Sequence, residues 1–493
     1  VRISFQAADK LHDLKESFGV CRSFLKREGM LLYELFVLYT AGGVRVSQIN
    51  ITDVVNEGEF NRFHLGILIC CCLIITFDMF DLVIYSSVLP VLMEEWAISP
   101  VQAGAIGSYG FLGMMLGAIF FGILADRLGR KNILILCVFI FSIFTFLCAF
   151  AHGPSIFSVF RFVAGVGIGG VLPNVIALLT EYAPKNKQNM MVSMVMCCFS
   201  VGGILAALIG IYVMPVIGWQ RVFWVGVIPL MLIPYMVKHF HDSPSILLMK
   251  GRVDELRLVL SKVNNKFLLS QDIEFEAIIN EKSSGSPVLG LFKNDRALGT
   301  VMIWIAFFMC LLMINGLTIW LPNLMFSAGY ALGSSLSFVI VLNIGAIIGT
   351  LILGSLADKY GVKNVLVPVF LMASICLMLL GLKNNMFILY VLVAITGACT
   401  MGAQNISYSF VSHYYPPLMR STAVGLASGI GRIGGIIGPT FGGILVSLNL
   451  SVQMNFISFA IPGIVAAIAF SFVPLKFSTH RKNKRNGIGG KYL

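Results

Sequence analysis

Charge is what this chain has least of. Only 12% of its 493 residues are Asp, Glu, Lys or Arg, against 57% apolar residues, and mean hydropathy is +0.88. A soluble globular domain carries about 25% charged residues, so that class is excluded. Metal-ligand and disulfide-framework spacings are missing too. The eleven cysteines include Cys70-Cys71-Cys72 and Cys197-Cys198, lie in apolar stretches, and read as small packing residues. No nucleotide-binding loop, zinc-type spacing or nucleophile constellation occurs in the loops, which argues against an ATPase, a membrane hydrolase, or an enzyme with a bound metal or cofactor. The net charge of +12 would raise nucleic acid as a partner of a soluble protein. Here the basic residues gather in particular loops, as topology requires, and no nucleic acid is expected.

What the chain has instead is long apolar runs. Twelve candidate spans begin at 64–92 and end at 452–474, with the sixth at 219–237 and the seventh at 299–325. Each suits a helix crossing a hydrocarbon core of about 30 Å. The expected fold is an all-α polytopic membrane protein of twelve transmembrane helices in two six-helix bundles. Arg127, Arg130, Lys131, Lys185, Lys187, Lys359, Lys363 and Arg420 fall in alternate turns, while the intervening turns show only Arg221 and Lys383. This asymmetry places both termini in the cytoplasm.

The expected organisation is a cytoplasmic extension and lead-in at 1–62, a bundle at 63–238, a cytoplasmic linker at 239–298, a second bundle at 299–475 and a basic tail at 476–493. The short apolar run Met30–Ala41 has the outline of a signal peptide, but cleavage there would start the next span outside, against the charge pattern. In the linker, Val253, Leu256, Leu260 and Val263 recur at helical spacing, predicting an amphipathic helix on the membrane face or on the bundle floor.

A gapless shift of 232 residues superposes the chain on itself. Pro90 meets Pro322, Gly113 meets Gly345, Asp126 meets Asp358, Gly165 meets Gly397, Tyr182 meets Tyr414, and Gly202-Gly203 meets Gly434-Gly435. Six spans followed by six related spans, both sets starting inside, make a parallel repeat about an axis along the membrane normal, in which two bundles rock around a midplane site.

Against that background the ionisable residues within spans stand out, because each is costly in lipid. Asp78 and Asp81 lie three apart in the first span and share one helix face. Their repeat positions are Cys310 and Met313, so the second half has no acidic counterpart. Arg432 lies near the middle of the eleventh span, where its repeat position is Ser200. A guanidinium there can hold a carboxylate through two parallel hydrogen bonds. Arg161, toward the outer end of the fourth span, is either a second cation for such an anion or an ion-pair partner of Asp78 or Asp81. Phe80, Trp320 and Tyr408 are candidate aromatic walls, and Gln404 and Asn405 either line the cavity or bond between helices. Glu181 and His413 occupy equivalent positions at the inner ends of their spans, as a proton relay or as solvated and capping groups.

Two turns carry a resemblance. Gly122, Asp126, Arg127, Gly129 and Arg130 follow the second span, and Gly354, Asp358, Lys359 and Gly361 echo them after the eighth. This G-x-x-x-D-[RK]-x-G pattern resembles the cytoplasmic signature of the major facilitator superfamily, where it implies a latch holding the cytoplasmic side shut. The segment Phe77-Asp78-Met79-Phe80-Asp81 further resembles the D-G-x-D motif of the aromatic acid:proton symporters, the benzoate and hydroxybenzoate permeases, with Met79 where those relatives carry Gly. The resemblance covers about residues 50–475. It implies a plasma-membrane secondary transporter, working as a monomer, that imports a small aromatic carboxylate with protons by rocker-switch alternating access, with Asp78 and Asp81 coupling the proton. A transporter of another organic anion (nicotinate-like, dicarboxylate or sugar acid) fits the same charges, and a proton/drug antiporter would use the same aspartates.

Overall fold

The computed structural model describes residues 51–249, 251–264, 290–292, 296–382, 385–415 and 417–474; the N-terminal extension to residue 50, the middle of the linker and the basic tail from 475 lie outside them. Among the described residues there are helices and turns and no strand. Twelve helices among the described residues are long and apolar enough to cross a membrane. They run Arg62–Glu95, Pro100–Ala125, Arg130–Phe150, Pro154–Tyr182, Gln188–Tyr212, Trp219–His239, Ala297–Ser327, Leu332–Ala357, Val362–Leu380, Met386–Tyr414, Thr422–Ser447 and Val452–Phe472. These are the twelve expected spans, each within a few residues.

Local chemistry sets several of their ends. Asn61 caps the first span by accepting from the amides of Phe63 and His64, while the His64 ring accepts from the Asn61 amide, and Ser99 and Gln102 close a similar reciprocal cap on the second. Gly129 and Gly361 join the second span to the third and the eighth to the ninth at φ of 106° and 90°. A side chain at either would be strained, which accounts for the glycine in both copies of the turn. The sixth span departs from the expected plain helix: Phe223–Leu232 is wound as a 3-10 helix before Ile233–His239 resumes the α form. Pro229 and Pro234 remove two amide donors from this stretch, so an unbroken i to i−4 ladder is impossible.

Packing follows the repeat down to individual contacts. The second span lies on the fourth and the eighth on the tenth. A Cβ at Gly113 or Gly117 would strike the backbone of Phe162 or Val166, and one at Gly345 or Gly349 would strike Ala394 or Ala398. These four pairs are related by the same 232-residue shift. Without a hydrophobic drive between helices in lipid, this backbone approach maximises dispersion contact.

The halves meet where the second span packs on the eleventh, the fifth on the eighth and the first on the seventh. Their contact is lopsided. At one end Ser108 and Thr440 share a hydroxyl hydrogen bond of 2.8 Å, and Gly104 and Gly443 sit against the backbones of Pro439 and Pro100, with Pro439 itself held within the second half by the Trp320 indole at 2.7 Å. From Asp78 to Leu89 every residue of the first span is buried. Toward the opposite end a Cβ at Gly122, Gly425 or Gly429 would meet nothing within 4 Å. The halves are closed together at the Pro100 and Pro439 end and separate toward the Gly122 end.

The linker helix forms at Val253–Val263, and its position decides between the two expected placements. Leu256, Val259, Leu260 and Val263 are fully buried on the bundle floor. Asn61 donates to the Lys262 carbonyl at 2.8 Å, and Asn264 to the Val54 carbonyl at 3.2 Å. The lead-in, expected as a simple polar segment, folds into a short helix at Ile51–Asn56 that takes part in this floor through buried Ile51, Val54 and Val55.

Candidate functional site

The two aspartates of the first span are in different circumstances although both are buried. Asp81 is fully held. Its Oδ2 accepts from the Arg161 guanidinium at 2.7 Å, its Oδ1 accepts from the Thr145 hydroxyl at 2.7 Å, and its own carbonyl accepts from Arg161 at 2.9 Å. Arg161 also lies over the Tyr85 ring, 5.5 Å from its centroid, while the Tyr85 hydroxyl donates to the Ala103 carbonyl at 2.6 Å. Of the two readings open for Arg161, the structure shows the ion pair, and with Asp81. An ion pair this deep depends on further contacts to both groups: the Thr145 hydroxyl bonds the carboxylate, and the Asp81 carbonyl and the Tyr85 ring face engage the guanidinium.

Asp78, one turn inward, has no such clamp. Its Oδ1 is buried without a hydrogen-bond partner. Arg432 of the eleventh span and Asp78 act on one another electrostatically. Arg432 is half-buried and makes a hydrogen bond of 3.2 Å to the Met114 carbonyl of the second span. Beside it stands Tyr408 of the tenth span, whose ring meets that of Phe307 edge-on at 5.2 Å and whose hydroxyl lies 3.4 Å from Ser428. Residues from the first, second, seventh, tenth and eleventh spans thus converge where the two halves meet: a carboxylate with an unsatisfied oxygen, a cation, and aromatic surface. That combination can bind a planar anion on the guanidinium and take up a proton on the carboxylate.

The remaining sequence-predicted residues fall elsewhere. Trp320 is fully buried and bonded to Pro439, within the closed end. Phe80 is buried, in edge contact with Phe77 at 6.5 Å. Asn405 donates to the Thr350 hydroxyl at 3.2 Å, between helices of the second half, and Gln404 is half-buried on the same helix. Glu181 pairs with Arg130 at 2.8 Å, tying the turn motif to the end of the fourth span, whereas His413 is exposed and bonds the Ser409 carbonyl at 2.8 Å. Arg127 is exposed, Gly129 lies against the Asp242 carboxylate, and Lys359 lies over the neighbouring Tyr360 ring at 5.3 Å. The side chains of Asp126 and Asp358 lie outside the described residues.

Sequence reasoning missed two functions of the basic turns. Lys131 donates to the Val237 carbonyl at 2.8 Å, and its repeat mate Lys363 donates to the Ser471 and Val473 carbonyls at 2.7 Å each. Each lysine closes the carbonyl end of the last helix of its own half, where a positive charge is favoured. The paired lysines at a 232-residue shift were the available signal.

The sequence profile of the Major Facilitator Superfamily matches residues 71–351 and 337–491. The chain belongs to this superfamily. Among curated members it is 40% identical to the benzoate transport protein of Acinetobacter baylyi, over 85% of this chain and 92% of that one. It is 34% identical to the gentisate transporter of Corynebacterium glutamicum, over 80% of this chain and 84% of that one. A solved facilitator structure, the xylose transporter XylE from E. coli in a partially occluded inward-open conformation, superposes with a TM-score of 0.67 at 15% identity, covering 88% of this chain and 100% of XylE. At that identity the likeness carries the facilitator fold. The chain is thus a multi-pass membrane protein of a transporter superfamily.

Proposed function

We propose that the protein is a proton-coupled importer of a small aromatic carboxylate, of the benzoate and hydroxybenzoate kind, in the cytoplasmic membrane. The observation that carries this reading is Asp78, with its unsatisfied oxygen, within electrostatic reach of Arg432 at the junction of the halves. An anion docked on Arg432 removes the positive charge that offsets the Asp78 carboxylate, so the anion and a proton enter together. Tyr408 and Phe307 flank Arg432 as apolar surface for the ring. Asp81, the other carboxylate of the pair, is held in place by Arg161, and both aspartates contribute to coupling. The names of the two curated relatives support an aromatic acid as cargo.

Access alternates as the bundle at 63–238 rocks against that at 299–475, joined by the linker at 239–298. With basic turns and both termini in the cytoplasm, the separated Gly122 end faces inward, and the motif turns gate it. In proteoliposomes under an imposed pH gradient, acid outside, the protein is expected to accumulate benzoate-like acids in preference to aliphatic dicarboxylates, sugar acids and lipophilic cations. Asp81→Asn, present in the membrane at wild-type level, is expected to abolish that accumulation; undiminished accumulation in this variant would refute the assignment.

A further inference from the structure

The Thr145 hydroxyl is bonded to a carboxylate of another span, which sets it apart from Thr396 and Thr400. Thr396 and Thr400, like Ser374, turn their hydroxyls back onto the carbonyl four residues earlier in their own helix. That is the ordinary solution for a hydroxyl in an apolar helix, where an unpaired donor is costly. Thr145 instead reaches out of the third span to Asp81 Oδ1 on the first, at 2.7 Å. Its rotamer is set from behind: Gly226 of the sixth span packs so closely on Thr145 that a Cβ there would strike its methyl group.

The repeat supplies a second, independent observation. The positions equivalent to Asp81, Thr145 and Arg161 are Met313, Leu377 and Val393, all three apolar and fully buried. A threonine that only filled space would have no reason to change to an apolar residue together with the ion pair. The three polar residues are present together in one half and absent together from the other.

We infer that Thr145 is a positioning residue for proton coupling, acting through Asp81. The hydrogen bond fixes Oδ1 so that Oδ2 points at Arg161. With both oxygens of Asp81 engaged, Asp78 is the acidic group of the pair left with an oxygen available to a proton. The inference rests on the proton-coupled reading above.

Thr145→Val keeps the shape and removes the hydroxyl; Thr145→Ser keeps the hydroxyl. In proteoliposomes, Thr145→Val is expected to lose about tenfold in gradient-driven accumulation of benzoate, the effect of about one charge-assisted hydrogen bond. Counterflow exchange of benzoate, which needs no net proton movement, should remain, and Thr145→Ser should behave as wild type in both assays. Wild-type accumulation by Thr145→Val would overturn the inference, as would parallel loss of accumulation and counterflow, the signature of a merely structural role. A substrate-free measurement separates this inference from the transport reading. Thr145→Val combined with Asp81→Asn should melt no lower than Asp81→Asn alone, because the hydroxyl acts through that carboxylate; additive lowering would overturn it. If the wild type accumulates no aromatic acid, the transport reading falls and the melting comparison still decides whether Thr145 acts through Asp81.

Discussion

The two halves of the protein share a scaffold and differ in chemistry. Both place glycines where the second helix of the half meets the fourth, both turn at a glycine of positive φ, and both clasp the end of their last helix with a lysine. At the depth of Asp81, Thr145 and Arg161, by contrast, the second half has Met313, Leu377 and Val393. The cation in the second half, Arg432, has no counterpart in the first, where Ser200 stands. Duplication therefore preserved what a helix needs from its neighbours. Beyond the Asp81–Arg161 pair, which closes within the first half, the remaining mid-span carboxylate, Asp78, lies in the first half and the remaining cation, Arg432, in the second.

The largest test of this asymmetry is to break the ion pair on one side. Arg161→Met leaves Asp81 buried without its cation, and is expected to destabilise the protein by about 3–5 kcal/mol. The double variant Asp81→Asn/Arg161→Met should recover most of that loss, read as thermal melting in detergent. Little loss in the single variant would mean that the pair is not what holds this depth of the first half together. Next in size is the reverse experiment. Met313→Asp puts a carboxylate at the equivalent depth with only Leu377 and Val393 at the partner positions, and should lower the inserted, folded fraction by an amount corresponding to about 2.5–3.5 kcal/mol. Equal tolerance of aspartate in the two halves would remove the contrast.

Smaller effects probe what the halves have in common. Lys131→Met and Lys363→Met should each lower stability by under about 1 kcal/mol, by similar amounts, since each removes a helix-end charge that is partly open to solvent. Unequal losses would show that the two clasps are not equivalent.

The smallest effect belongs to the floor, where only the first half carries the linker helix. His241 accepts from the Lys262 ammonium at 3.0 Å, which requires a neutral ring. Burial, then the neighbouring Lys262 and Lys131, push its pKa below the usual 6.5. A base whose charged form is disfavoured in the fold binds fewer protons folded than unfolded, so its contribution is present above pH 6.5 and is lost as pH falls through the lowered value. Protection of the Val253–Val263 amides from hydrogen exchange should therefore fall on mild acidification, and His241→Gln should flatten the dependence. A dependence of the same size in His241→Gln would place the titrating group elsewhere.

Much of this was legible in the sequence because it is periodic. Twelve apolar runs and a gapless 232-residue repeat leave little freedom in the fold, and the only ionisable groups in mid-span drew attention to Asp78, Asp81, Arg161 and Arg432. What a linear reading does not contain is direction around and between helices. Arg161 had two acceptable partners within reach and a possible ligand besides; only side-chain geometry assigns it to Asp81. Thr145 sits in Phe141–Leu147 among residues any membrane helix carries, and a threonine that bonds its own backbone looks no different in sequence from one that reaches across. The 3-10 winding of the sixth span was signalled by Pro229 and Pro234, yet two prolines announce a break without saying how the chain accommodates it.

The closed seam at Pro100 and Pro439 has a consequence for how the protein would respond to its surroundings. Among the described residues, the halves are joined there by backbone packing at Gly104 and Gly443 and by the Ser108 to Thr440 hydroxyl pair, and no ion pair crosses it. Dissolved salt weakens attraction between exposed charges and leaves buried neutral contacts almost untouched. Ionic strength should thus leave the ease of parting this seam unchanged, so an organism could meet brackish or dilute water without resetting the balance between the two openings.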